Sequence, residues 1–135
     1  MKTKPNSVYE LIDKDFGGLK TGEITLIGVR PGMGKTSLAL HIALNVARDG
    51  GNVLFFAAES CAAELELKVI ALVSGISIKK IHDWNLTDEE WEIFKNATKM
   101  LKKLPIRFIH SDTLDEIKYF CEDTGKVDLI VFDYL

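Results

Sequence analysis

The segment Gly28-Val-Arg-Pro-Gly-Met-Gly34-Lys35-Thr36 stands between an apolar run at residues 24–29 and a helically patterned stretch at residues 37–48. The run, Ile24-Thr-Leu-Ile-Gly-Val29, predicts a parallel strand covered on both faces, because such strands carry nearly continuous apolar sequence. In the stretch that follows, Leu38, Ile42, Ala43, Val46 and Ala47 share one helical stripe. Leu40 and Leu44 widen that stripe, which predicts a buried helix, and Asp49-Gly-Gly-Asn52 ends it. Strand, glycine-bearing loop and helix in that order form the setting that a phosphate-binding loop requires.

The same alternation continues outward. Residues 53–57 read as a second buried strand, 62–73 as a helix stopped near Gly75, and 77–86 as a connector with a short helical turn. Thr87 is placed to cap a helix over residues 88–103, with Asp88, Glu89 and Glu90 in the first turn and lysines in the last, in keeping with the helix dipole. Pro105 breaks that helix, and residues 106–109 predict a third strand. Residues 113–121 predict a helix with Leu114, Ile117 and Phe120 inward, and residues 129–132 a fourth buried strand. Strands alternating with helices predict an α/β fold, a parallel sheet flanked by helices. Residues 1–20 read as a lead-in packed on the domain, and residues 21–135 as the domain itself.

The chemistry is read from the loop. Small residues let successive backbone N–H groups turn inward toward phosphate oxygens, and the helix start adds the positive end of its dipole. The loop residues Arg30, Pro31, Gly32, Met33, Gly34, Lys35, Thr36 and Ser37 are the nucleotide-binding candidates. Lys35 supplies a point charge for the β- and γ-phosphates of ATP, and the Thr36 hydroxyl is a ligand for Mg²⁺. Arg30 is placed either to touch the nucleotide or to brace the loop. The strict motif has glycine five residues before Gly34, where this chain has Val29.

Two acids follow apolar runs, where ligands of parallel sheets bind beyond the carboxyl ends of strands. Asp133, after Leu129-Ile-Val-Phe132, is the candidate to complete the Mg²⁺ shell with Thr36. Glu59, after Leu54-Phe-Phe-Ala-Ala58, is the candidate base for the water that attacks the γ-phosphate. A dinucleotide-binding reading uses Gly32, Gly34 and Glu59. It meets Ser37 where its third glycine belongs and leaves Lys35 and Thr36 without a task.

Composition excludes other classes. Net charge is -3, so the chain as a whole is no electrostatic nucleic-acid binder. No apolar stretch is long enough for a membrane span, and no apolar run follows Lys2 and Lys4 as in a signal peptide. Cys61 and Cys121 lack metal-type spacing and read as reduced thiols of a cytoplasmic protein. His41, His82 and His110 are scattered and read as packing or surface residues. Trp84 and Trp91 read as core or inter-subunit packing, and Lys79-Lys80 and Lys102-Lys103 as solvated faces.

Taken together, these segments resemble the DnaB-type family of replicative DNA helicases. Asp15-Phe-Gly-Gly-Leu19 through Lys35-Thr36, Leu54-Phe-Phe-Ala-Ala-Glu59, Leu86-Thr-Asp-Glu-Glu-Trp91, Leu104-Pro-Ile106 and Asp128-Leu-Ile-Val-Phe-Asp-Tyr-Leu135 carry the likeness. That family also lacks the first Walker glycine, which accounts for Val29. The resemblance implies the first half of a RecA-like P-loop ATPase domain, cut after the Walker B strand. It further implies catalysis by Glu59 and Lys35, ATP and Mg²⁺ as cofactors, and a hexameric ring in which a neighbour supplies an arginine. Family members carry Ser-Leu-Glu-Met-Ser around the glutamate, where this chain has Ala57-Ala-Glu-Ser-Cys61. On this resemblance, the primase-binding N-terminal domain of family members is expected to be missing ahead of Met1. The polar sensor and the loops that contact single-stranded DNA fall past Leu135. In RecA-like sheets the strand after Walker B inserts beside the phosphate-loop strand, so the sheet here is expected either to keep a gap or to close up. An isolated chain of this kind is expected to be poorly stable and to hydrolyse ATP slowly or not at all.

Overall fold

The computed structural model describes residues 13–14, 17–111 and 113–133. Most of the lead-in expected over residues 1–20, and Leu135, therefore lie outside the described residues. The elements run α1 Lys35–Arg48, β1 Val53–Ala57, α2 Ala62–Ser74, α3 Ile78–His82, α4 Asp88–Leu101, β2 Ile106–His110, α5 Leu114–Thr124 and β3 Leu129–Asp133. The strands form one parallel sheet in the order β2-β1-β3, with Phe55 opposite Phe108 on one side and Val131 on the other.

The central position of β1 follows from its sequence. All five residues of Val-Leu-Phe-Phe-Ala are buried, as befits a strand covered on both faces. Val53, Phe55 and Ala57 face a core built with Leu40, Ala43, Leu44 and Ala47 of α1, Leu65, Val69 and Ile70 of α2, and Ala97 and Leu101 of α4. Leu54 and Phe56 face the other way, onto Ile109 of β2 and Ile117, Phe120 and Cys121 of α5. Leu114, expected inward, is 74% exposed, because α5 meets the sheet only through the later residues of its stripe.

Helix ends follow local chemistry. Thr87 and Glu90 form a reciprocal capping box at the start of α4. At the end of α3 the Asn85 N–H donates to the Lys80 carbonyl and the Trp84 N–H to the Ile81 carbonyl. This is the Schellman pattern, and it puts Trp84 at the left-handed position usually held by glycine, with φ 52°. Trp84 is accordingly turned outward, 65% exposed and stacked on Trp91 at 5.6 Å, not buried in a core.

Close approach fixes Gly51. A Cβ there would lie 2.8 Å from Cγ1 of Val46 and 3.1 Å from the Val46 carbonyl oxygen. Val46 is buried and β-branched, so it has little freedom to retreat. Gly51→Ala is expected to lower stability by about 1–3 kcal/mol, the usual cost of overpacking, read as a lower midpoint in urea unfolding.

The strand expected over residues 24–29 is not in the sheet. The segment has no strand pairing, and Ile24 and Leu26 are 98% and 93% exposed. Among the described residues β3 is an edge strand, with Ile130 and Phe132 on its α5 side 43% and 52% exposed. Of the two forms expected for the sheet, the described residues adopt the one that does not close up. An apolar run becomes a strand only where a neighbour pairs its N–H and C=O groups. No described segment does so for residues 24–29.

Candidate functional site

The phosphate-type loop is shaped by its glycines. The Met33 N–H donates to the Arg30 carbonyl in a tight turn. Gly34 then takes a left-handed conformation, φ 82°, immediately before α1. A side chain there would be strained by the backbone alone, at roughly 1–2 kcal/mol. No side chain caps α1 and no acidic residue stands in its first turn, so its positive end is open to an anion.

Thr36 and Asp133, far apart in sequence, meet here. The Thr36 hydroxyl donates to Oδ2 of Asp133 at 2.6 Å, and Nζ of Lys35 lies 3.6 Å from Oδ1 of the same carboxylate. The Asp133 side chain is only 11% exposed, so this ion pair is far less screened than one on the surface. The register explains the meeting. Asp133 pairs with Ala57 at the carboxyl end of the sheet, the end where ligands of parallel sheets bind.

A cavity of about 380 Å³ opens at this end. The loop residues Arg30, Pro31, Gly32, Gly34, Lys35, Thr36 and Ser37 line it, with Glu59 and Asp133. Met33 alone of the loop candidates is not in the lining, and its side chain is 71% exposed. Glu59, two residues past β1, is exposed to the cavity.

Sequence reasoning missed two residues of the wall. Ser60 and Lys68 also line the cavity. Nζ of Lys68 is 2.8 Å from Oε1 of Glu64 and donates to the Ser60 hydroxyl at 3.3 Å. The Lys68 ammonium, first through its hydrogen bond and then through its charge, holds the Glu64 carboxyl below the usual carboxylate range. On its other side, the Ser60 carbonyl lies 3.4 Å from Nδ1 of His110 at the end of β2. The signal in the sequence was faint: Lys68 is the only basic residue of α2, four positions after Glu64.

A glycine-bearing loop, a helix start and a strand-end aspartate at the carboxyl edge of a parallel sheet define a RecA-like α/β domain of the P-loop class. The profile of the DnaB-like helicase C terminal domain matches residues 6–135, and the chain belongs to that family. It is 29% identical to a replicative DNA helicase DnaB of Buchnera aphidicola subsp. Baizongia pistaciae, over 96% of this chain and 30% of the relative. It is 30% identical to a probable plasmid replicative DNA helicase of Chlamydia muridarum, over 94% of this chain and again 30% of the relative. The chain thus spans about 30% of the length of these relatives. A solved structure described as an ATPase domain superposes with TM-score 0.88 at 25% identity, covering 98% of this chain and 50% of the other. A DnaB-like replicative helicase solved with regard to its interactions with primase shares the fold, at TM-score 0.66 and 22% identity over 76% of this chain and 26% of the other.

Proposed function

We propose that this chain binds MgATP in the cavity beneath residues 30–37 and is part of the motor domain of a replicative DNA helicase. The observation that carries the reading is the meeting of Lys35, Thr36 and Asp133 at the start of α1. The names of the relatives, replicative DNA helicases, support the biological role.

In this reading the loop N–H groups and Lys35 hold the phosphates. Thr36 and Asp133 offer one hydroxyl and one carboxylate, both hard oxygen donors. That set fits Mg²⁺, which takes one or two carboxylates and fills its shell with water and phosphate oxygens. The ion supplies charge neutralisation on the phosphates. Glu59 accepts a proton from a water whose oxygen attacks the γ-phosphorus, while the bond to the β–γ bridging oxygen breaks and its electrons leave with the diphosphate. The domain occupies residues 21–135 and continues in the intact protein. There, contacts to single-stranded DNA, assembly into a hexameric ring and an arginine from a neighbour complete a cytoplasmic motor.

Lys35→Ala tests the site. Loss of a hydrogen-bonded charge removes roughly 1.5–3 kcal/mol, so the affinity of the chain for MgATP is expected to fall about 10- to 100-fold in a calorimetric titration. Unchanged affinity would place nucleotide binding elsewhere.

A further inference from the structure

Lys68 lines the same cavity as the loop, and nothing in the reading above uses it. The sheet order orients that cavity. Asp133 of β3 touches the loop through Lys35 and Thr36, and β1, with Glu59 and Ser60 beyond its end, is the next strand inward. A phosphate chain anchored in the loop and extended past Asp133 toward Glu59 would bring its terminal group to the part of the cavity that Ser60 and Lys68 line. An ammonium has three donors. Glu64 and Ser60 take one each, at 2.8 and 3.3 Å, and the side chain remains 35% exposed.

We propose that Lys68 reads the terminal phosphate, making the site prefer a nucleoside triphosphate over a diphosphate, with Glu64 competing for the same ammonium. The proposal rests on the MgATP reading of the cavity. Lys35 reaches the β-phosphate that both nucleotides share as well as the γ-phosphate, whereas Lys68 meets only the group that a diphosphate lacks. Glu64 tempers the preference, because a γ-phosphate must share or displace a carboxylate already bound. Ser60 adjoins Glu59, so the cation that senses the γ-phosphate also holds the residue beside the proposed base.

The test is titration of the full chain, with Mg²⁺, against a fluorescent non-hydrolysable ATP analogue and the matching ADP. Lys68→Met is expected to weaken the triphosphate about tenfold and leave the diphosphate within about twofold, the scale of one charge-assisted contact. Lys68→Arg should retain the preference. Glu64→Gln should strengthen triphosphate binding about threefold, as one weakened competing contact would. Structural damage does not produce that opposite sign, so it decides the matter even if Lys68→Met folds poorly. Equal weakening of both nucleotides by Lys68→Met, or a Glu64→Gln preference equal to or below wild type, overturns the proposal. Lys35→Ala separates the two levels. If it weakens both nucleotides while the Lys68 and Glu64 variants leave their ratio unchanged, the cavity stands and the role of Lys68 falls. If Lys35→Ala weakens neither, the cavity reading fails and this inference with it.

Discussion

Glu59→Gln is expected to leave MgATP binding intact or slightly tighter and to lower ATP turnover about 10²- to 10⁴-fold, the usual contribution of a positioned general base. Glutamine matches glutamate in size and hydrogen-bonding reach but accepts no proton at neutral pH. Glu59 is exposed to the cavity, and no hydrogen bond or ion pair to another described residue engages its carboxylate. The substitution therefore breaks no internal contact, and folding should be unaffected. Removal of one negative charge facing a triphosphate favours binding, so a fall in affinity is not expected. The measurement is release of radiolabelled phosphate by the intact, full-length protein under single-turnover conditions, wild type and variant side by side, with binding titrated separately. Turnover equal to wild type would remove Glu59 from the mechanism.

Phe55→Ala is expected to destabilise the chain by about 3–5 kcal/mol. Phe55 is 0% exposed at the middle of the central strand, between Phe108 and Val131, and its ring lies 5.7 Å from that of Phe108. Deleting it opens a cavity between the sheet and the core helices. Domains of this size are stable by only about 5–15 kcal/mol, so the variant would approach global unfolding. Urea denaturation followed by circular dichroism measures the shift. Ile24→Ala is the control: at 98% exposed it should move the midpoint by less than about 0.5 kcal/mol equivalent. A loss of similar size at both positions would mean that β1 does not form the centre of the fold.

Much of this was legible in the residues. The bounds of β1 came directly from an uninterrupted apolar run, and the start of α4 from Thr87 ahead of three acids. α1 was recognisable because its apolar stripe is wide enough to predict burial, and Leu40, Ile42, Ala43, Leu44, Val46 and Ala47 are buried. The loop residues and both strand-end acids were nominated from motif and position, and the structure brings all of them except Met33 into one cavity lining. Residues 24–29 read just like β1, yet they remain outside the sheet. Local pattern records the wish of a segment to be covered, whereas strand pairing depends on a neighbour elsewhere in the chain. Of the two roles read for Trp84, core or inter-subunit packing, the structure removes the first, because the α3 turn places it at a left-handed cap that faces solvent.

The sequence alone determined the α/β class, the loop and its Lys35-Thr36 pair, and the family, because spacing along one segment carries all of these. Only the tertiary structure decided that Asp133 binds both Thr36 and Lys35, that Lys68 shares the cavity, and that β1 stands between β2 and β3. Such pairings join residues far apart in the chain. They are set by strand order and register, which pack distant elements against one another and leave no trace in the spacing of any single stretch.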